Sequence, residues 1–163
     1  MHSSNLGGLS GGDAICQELA EAAGLPGRFM AWLSDGKTSP STRFPLAGST
    51  VAGPDALVGE PFTTIADDWT GLTTCTKAPG TNCLDNLLVR TETGALQYEE
   101  IVFTGTNADG GSSSRTCDGW TATSGQSQSG ANSYWDAAWT SACTVCSCTS
   151  DPAGGRIYCF QQG

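Results

Sequence analysis

Apolar positions along the chain fall into short blocks separated by long polar stretches. Over residues 10–24, Ile15, Leu19, Ala22 and Ala23 recur at helical spacing beside Cys16 and Ala20, which predicts a helix. Ser10 and Asp13 stand at capping-box spacing at its start, Gly24 suits the position just past its end, and Pro26 prevents continuation. Phe29–Leu33 is a continuous apolar run of strand length and reads as a buried strand, followed by a turn at Ser34-Asp35-Gly36. Residues 36–61 are rich in Pro, Gly and Ser and read as loop with a short strand near 56–58. Asp67–Leu72 suggests a single helical turn. Leu87–Thr91 and Leu96-Gln97 flank Glu92–Ala95 and predict a hairpin with Gly94 at its turn. Ile101–Gly105 reads as another buried strand and Arg156–Phe160 as the closing one. Between 106 and 133 the chain is almost all Gly, Ser, Thr, Asn and Asp around Trp120. That stretch predicts a long loop, of a kind compact domains keep mainly for function.

Composition narrows this picture. A length of 163 residues fits one domain, and 38% apolar residues can fill one core. With 22 glycines and only 14% charged residues, short elements joined by turns are expected rather than a helical bundle. Residues 6–163 are taken as the domain. Residues 1–5 are taken as a tail with a start-codon scar, because Met1-His2-Ser3-Ser4 lacks the apolar stretch of a signal peptide. The 16 acidic residues outnumber 7 scattered basic ones, giving a net charge of −9, which argues against nucleic acid and heparin as partners. No run is long and apolar enough for membrane insertion. Eight cysteines accompany a lone histidine, His2, so four disulfides in an oxidising, extracellular or cell-surface setting are the plain reading.

Several residues are candidates for chemistry. Cys143-Thr-Val-Cys146 has redox-motif spacing, and Cys117 and Cys148 could join it around zinc. A structural disulfide is the favoured reading, because neither a thioredoxin-like helix start nor paired zinc knuckles are predicted. Asn107, Asp109 and Asp118 place hard oxygens on one Gly-rich stretch, as a calcium site would, although Asn107-Ala108-Asp109-Gly110 is first of all a turn sequence. Calcium is the cofactor such a set of oxygens would hold. Tyr134, Trp135 and Trp139 could stack on a sugar or anchor a protein interface together with Asn107 and Asp109. Trp135 and Trp139 could instead share a buried helical face, and at least one is expected in the core. No Ser-His or Cys-His pair is available from one terminal histidine. The adjacent carboxylates Asp67-Asp68 and Glu99-Glu100 point to opposite sides of an extended chain, so no enzyme is expected.

Gly11-Gly12-Asp13-Ala14-Ile15-Cys16-Gln17 followed by Ala23-Gly24-Leu25-Pro26-Gly27-Arg28-Phe29-Met30-Ala31-Trp32-Leu33-Ser34 resembles the opening of endostatin. Asp68-Trp69-Thr70-Gly71-Leu72, Val102–Gly110, Cys117-Asp118-Gly119-Trp120 and Arg156–Phe160 follow in the order of that family's motifs. The bacterial endostatin-like surface domains of unknown function are closer still. The resemblance covers almost the whole chain and implies an α+β, C-type-lectin-like fold: an antiparallel sheet, one main N-terminal helix and long loops. It also implies that Trp32, Trp69 and Trp120 are core. Endostatin's heparin-binding arginines and zinc-binding histidines have no counterpart in an acidic chain with His2 alone.

The same resemblance implies that the first and last cysteines pair, Cys16 with Cys159, around an inner bridge that Cys117–Cys148 would match. Cys75 and Cys83 flank Pro79-Gly80 and suit a local bridge. Cys143–Cys146 completes the set, with Cys143 or Cys146 as alternative partners for Cys117. Cys146–Cys148 would close too small a ring. The function implied is a recognition or adhesion module at the tip of a longer bacterial surface protein. It would bind a glycan or a surface protein of another cell, with trimerisation through a parent fibre one arrangement. The alternative is a structural capping domain with no ligand.

Overall fold

A computed structural model of the chain describes residues 1–44, 51–54, 62–74, 83–149 and 154–162. The fold is α+β, with one long helix, three one-turn helices and three small antiparallel sheets among the described residues.

Helix α1 spans Gly8–Ala22, two residues earlier than the apolar spacing predicts, and the expected capping box is absent. The chain instead enters through Gly7 at φ 83°, while the Leu6 and Gly7 amides donate to the Trp120 carbonyl. Asp13 is thereby free for another task. Its carboxylate accepts the Ala31 amide at 2.9 Å and pairs with the Arg43 guanidinium, whose side chain is 9% exposed. The far end of α1 closes as the sequence indicates. Gly24 sits at φ 71°, with its amide on Glu21 and the Leu25 amide on Ala20, a Schellman pattern.

Strand β1 (Arg28–Ala31) lies under α1, and Phe29–Leu33 is buried as expected. Gly12 allows this approach: a Cβ there would stand 2.6 Å from Leu33 Cδ1. Strands β2 (Val51–Pro54) and β3 (Phe62–Ala66) form a hairpin-like pair that the sequence reading did not anticipate. The strand expected near 56–58 lies outside the described residues. Asp68 caps a helical turn at Trp69–Thr73 by accepting the Gly71 amide at 2.8 Å. The 87–97 hairpin is reduced to a single Arg90–Leu96 bridge around Gly94 at φ 81°.

Strand β4 (Ile101–Phe103) is shorter than expected, with Ile101 exposed and Val102–Thr106 buried. It pairs with β5 (Gln126–Ala131), which in turn pairs with β6 (Cys143–Ser147). The 106–133 segment is therefore no long loop: its end is the central strand of a three-stranded sheet. The polar pattern concealed this, because Ser127, Gln128 and Ser129 are buried through hydrogen bonds rather than through apolar area. The closing strand β7 (Cys159–Gln162) starts later than expected and pairs antiparallel with β1, Met30 opposite Phe160. Arg156 instead bridges Val102 in parallel.

Two apolar clusters fill the interior. Trp32, Trp139, Tyr158 and Phe160 stack in the first, with the Trp32 and Trp139 rings 4.9 Å apart, and Trp69 packs partly buried against it. Leu6, Phe29, Leu33, Phe103 and Trp120 gather beneath α1 in the second. Trp32 and Trp120 are thus core, as expected. Cys16–Cys159, Cys117–Cys148 and Cys143–Cys146 are the described disulfides, each as expected. The expected Cys75–Cys83 pair involves Cys75, which lies outside the described residues.

Two features depart from the sequence reading. Residues 1–5 are integrated: His2 exchanges backbone bonds with Gly155, and the buried Ser4 hydroxyl lies within hydrogen-bond reach of the Ala122 and Cys148 carbonyls. Residues 117–120 form a left-handed turn, with φ of 50°, 55°, 63° and 67°. Three of these are not glycine, each at a cost of roughly 1–2 kcal/mol. The turn is held by Thr116 Oγ1 accepting the Gly119 amide and by Trp120 Nε1 donating to Ser34 at 2.7 Å.

Candidate functional site

The segment leading into β4 is laced to the segment leaving β5. Asn132 Nδ2 donates to the Gln97 carbonyl at 2.7 Å, Asn132 Oδ1 accepts the Glu100 amide at 3.0 Å, and Ser133 Oγ accepts the Glu99 amide at 2.7 Å. Asn132 is buried, so its two bonds are partly shielded from water and fix the backbone on both sides, while the Ser133 bond lies exposed beside them. Glu99 takes a positive φ of 59° to make its bond.

This lacing carries a set of exposed aromatic side chains. Tyr98 and Tyr134 each stand one residue from the Glu99–Ser133 hydrogen bond, and they are 54% and 50% exposed. Trp135 follows, 39% exposed, with its carbonyl accepting the Cys83 and Leu84 amides at 2.7 and 3.1 Å. Ile101, at the start of β4, is also exposed. An aromatic ring on a fixed backbone loses little freedom on binding and offers a flat apolar face with polar neighbours. Glu100 supplies one such neighbour, ion-paired to Arg156 at 3.4 Å.

Of the sequence candidates, Tyr134 and Trp135 are exposed and Trp139 is not. Trp139 is fully buried, because the helical turn Ala138–Ser141 points it inward against Trp32 and Tyr158. It belongs to the core, not to a ligand surface. Burial also pushes the Tyr158 hydroxyl far above its ordinary pKa, and it donates to the Trp139 carbonyl at 2.8 Å. Tyr98 went unnoticed in the sequence, although the polar run Gln97-Tyr98-Glu99-Glu100 around one aromatic is a surface signature.

Asn107 is tied to β5 and Asp109 to its own turn. Asn107 Oδ1 accepts from Gln128 Nε2 at 3.0 Å, and Asp109 Oδ1 accepts the Gly111 amide at 2.8 Å. Asp118 is exposed on the left-handed turn. Asp68 serves as a helix cap and Glu100 as an ion-pair partner, while Asp67 and Glu99 are exposed. Cys143 and Cys146 form their own bridge at the start of β6.

No family model matches the chain, and no curated protein sequence matches it. Among the described residues no helix is long and apolar enough to cross a membrane.

Proposed function

We propose that the chain is an extracellular recognition module of the endostatin-like, C-type-lectin-like type, the terminal domain of a longer bacterial surface protein. In this reading it binds a glycan of another cell through Tyr98, Tyr134 and Trp135. The observation that carries the reading is the exposure of these three aromatics on segments locked together by Asn132 and Ser133. Exposed aromatics held in place are the physical means by which proteins grip the apolar faces of sugar rings. The fold assignment is supported by the pairing of first and last strands, the Cys16–Cys159 bridge and the inner Cys117–Cys148 bridge. An oxidising location is supported by every described cysteine being disulfide-bonded. The proposed role is binding without catalysis.

Glycan-array screening of the intact chain, followed by Trp fluorescence titration of any hit, tests the reading. Binding that falls at least about tenfold in Trp135→Ala, with the fold retained, is the expected result. A protein ligand would leave the array blank and instead appear in binding to intact cells. Loss of neither kind of binding in Trp135→Ala and Tyr134→Ala would leave the capping role in its place.

A further inference from the structure

Strand β6 carries an irregularity that is tied to its disulfide. Ser127 stands opposite Cys146 and Ser129 opposite Cys143, so one residue of β5, Gln128, faces two of β6, Thr144 and Val145. That count is a β-bulge on β6. On a regular strand, residues three apart lie about 10 Å from each other and point to opposite faces, which a disulfide cannot span. The Cα atoms of Cys143 and Cys146 are 5.7 Å apart and the two cysteines are bonded. The bulge takes up the difference, and the bridge staples the bulge. Among the described residues β6 is the outer strand of its sheet, and Thr144 and Val145 are exposed on it.

The Cys16–Cys159 and Cys117–Cys148 bridges have different surroundings. All four of their cysteines lie in or against the apolar cluster beneath α1, and Cys16 and Cys117 are each 1% exposed. Cys143 and Cys146 are half-buried and belong to neither apolar cluster. Thiol–disulfide exchange needs access for the attacking thiolate and a polar setting for the departing one. A thiolate leaving from Cys16 or Cys117 would be stranded among apolar side chains. One leaving from Cys143 or Cys146 would have solvent at hand. Ring size acts in the same direction, because a disulfide stabilises a fold more the longer the loop it closes. The sequence separations are 143 and 31 for the buried bridges and 3 for this one, so opening it takes least from the fold.

We propose that Cys143–Cys146 is a thiol-operated switch: external thiols open it while the two buried bridges stay closed, and opening frees the bulge at Thr144-Val145. The attacking thiolate bonds to one of the two sulfurs as the bond between them breaks. The electron pair leaves on the other sulfur, which takes a proton from water. A second thiolate then attacks the first thiol's sulfur in the mixed disulfide, and the remaining cysteine sulfur leaves and is protonated in turn. Two thiols are oxidised to a disulfide and one bridge is reduced, with no other oxidant. The switch does not depend on glycan binding, because β6 carries none of the exposed aromatics.

Thiol trapping of the folded whole chain provides the test, with graded glutathione, quenching by N-ethylmaleimide and peptide mass mapping. Labels or glutathione adducts at Cys143 and Cys146 are expected at least about 100-fold faster than at Cys16, Cys117, Cys148 or Cys159. In the selectively opened protein, hydrogen exchange of the β6 amides should quicken at least about tenfold. Exchange of the Trp32 amide, bonded to the Tyr158 carbonyl, should stay unchanged. Equal labelling of the three bridges, or earlier opening of a buried one, overturns the switch. Selective opening with unchanged β6 exchange overturns the release of the bulge. Both readouts use the wild-type protein. The double variant Cys143→Ser/Cys146→Ser is expected to fold and to show the quickened β6 exchange without glutathione, and loss of its fold would overturn the claim that the domain survives opening.

Discussion

Two buried regions meet at Trp32, and they are built by different means. On one side Trp32, Trp139, Tyr158 and Phe160 exclude water with apolar area. On the other Thr104, Thr106, Ser127, Gln128, Ser129 and Thr140 are as deeply buried, at 2% exposure or less, and are held by hydrogen bonds. Thr104 Oγ1 donates to the Thr140 carbonyl at 2.6 Å, Gln128 Nε2 donates to the Thr106 carbonyl at 2.7 Å, and Trp32 Nε1 donates to Thr140 Oγ1 at 2.8 Å. Apolar contact is non-directional and grades with volume, whereas a polar interior is directional and costs most when one partner is removed.

Trp139→Ala should be the most damaging single change in either region, lowering stability by roughly 3–5 kcal/mol in urea unfolding. The same truncation at the 39% exposed Trp135 should cost less than about 1 kcal/mol. Equal losses at the two positions would erase the distinction between core and surface tryptophans.

Within the polar region, Gln128→Ala removes the donor to Thr106 and Asn107 and leaves a gap beside β5. A loss of about 2–4 kcal/mol is expected by the same measurement. Thr140→Val keeps the volume but strands the Trp32 indole N–H, and about 1–3 kcal/mol is expected. Thr140→Ser, which restores the acceptor, should recover most of that loss. If valine is tolerated as well as serine, the region is held by shape and not by hydrogen bonds.

The smallest effect concerns the docked N-terminal residues. His2 has a lowered proton affinity when folded, with burial the leading cause, so the unfolded chain binds more protons near pH 6.5. Stability of this contact should therefore be full above that pH and decline as pH falls through it. Exchange of the Gly155 amide, which donates to the His2 carbonyl, corrected for intrinsic rate, should quicken from pH 7.5 to 5.5. His2→Gln should abolish the extra change.

The contrast also explains what was legible beforehand. The α1 helix, the Gly24 stop and the Phe29–Leu33 strand follow from apolar spacing and backbone punctuation, which act locally and leave a mark in the sequence. Strand β5 does not, because Gln126-Ser127-Gln128-Ser129-Gly130 looks like loop until its partners across the sheet are known. The Asp13 carboxylate stands at the spacing of a helix cap, while the partner it takes, Arg43, lies thirty positions away. Trp135 and Trp139 are alike in type, and only Trp139 lies on the helical turn Ala138–Ser141 that carries it into the core. The segment carrying Tyr98 is held by Asn132 and Ser133, residues remote in the chain.

The bridge between α1 and β7 has a mechanical consequence. Cys16 and Cys159 are separated by 143 positions, and β1 lies paired along β7 beside them. Tension applied at the two ends of the chain would pass from Cys16 to Cys159 through one covalent link. The intervening polypeptide, including the exposed aromatics and the hydrogen-bonded buried region, would bear no load. Stretched in a single-molecule instrument, the oxidised domain would lengthen by little more than the residues outside that link, whereas the reduced domain would pay out nearly its full contour.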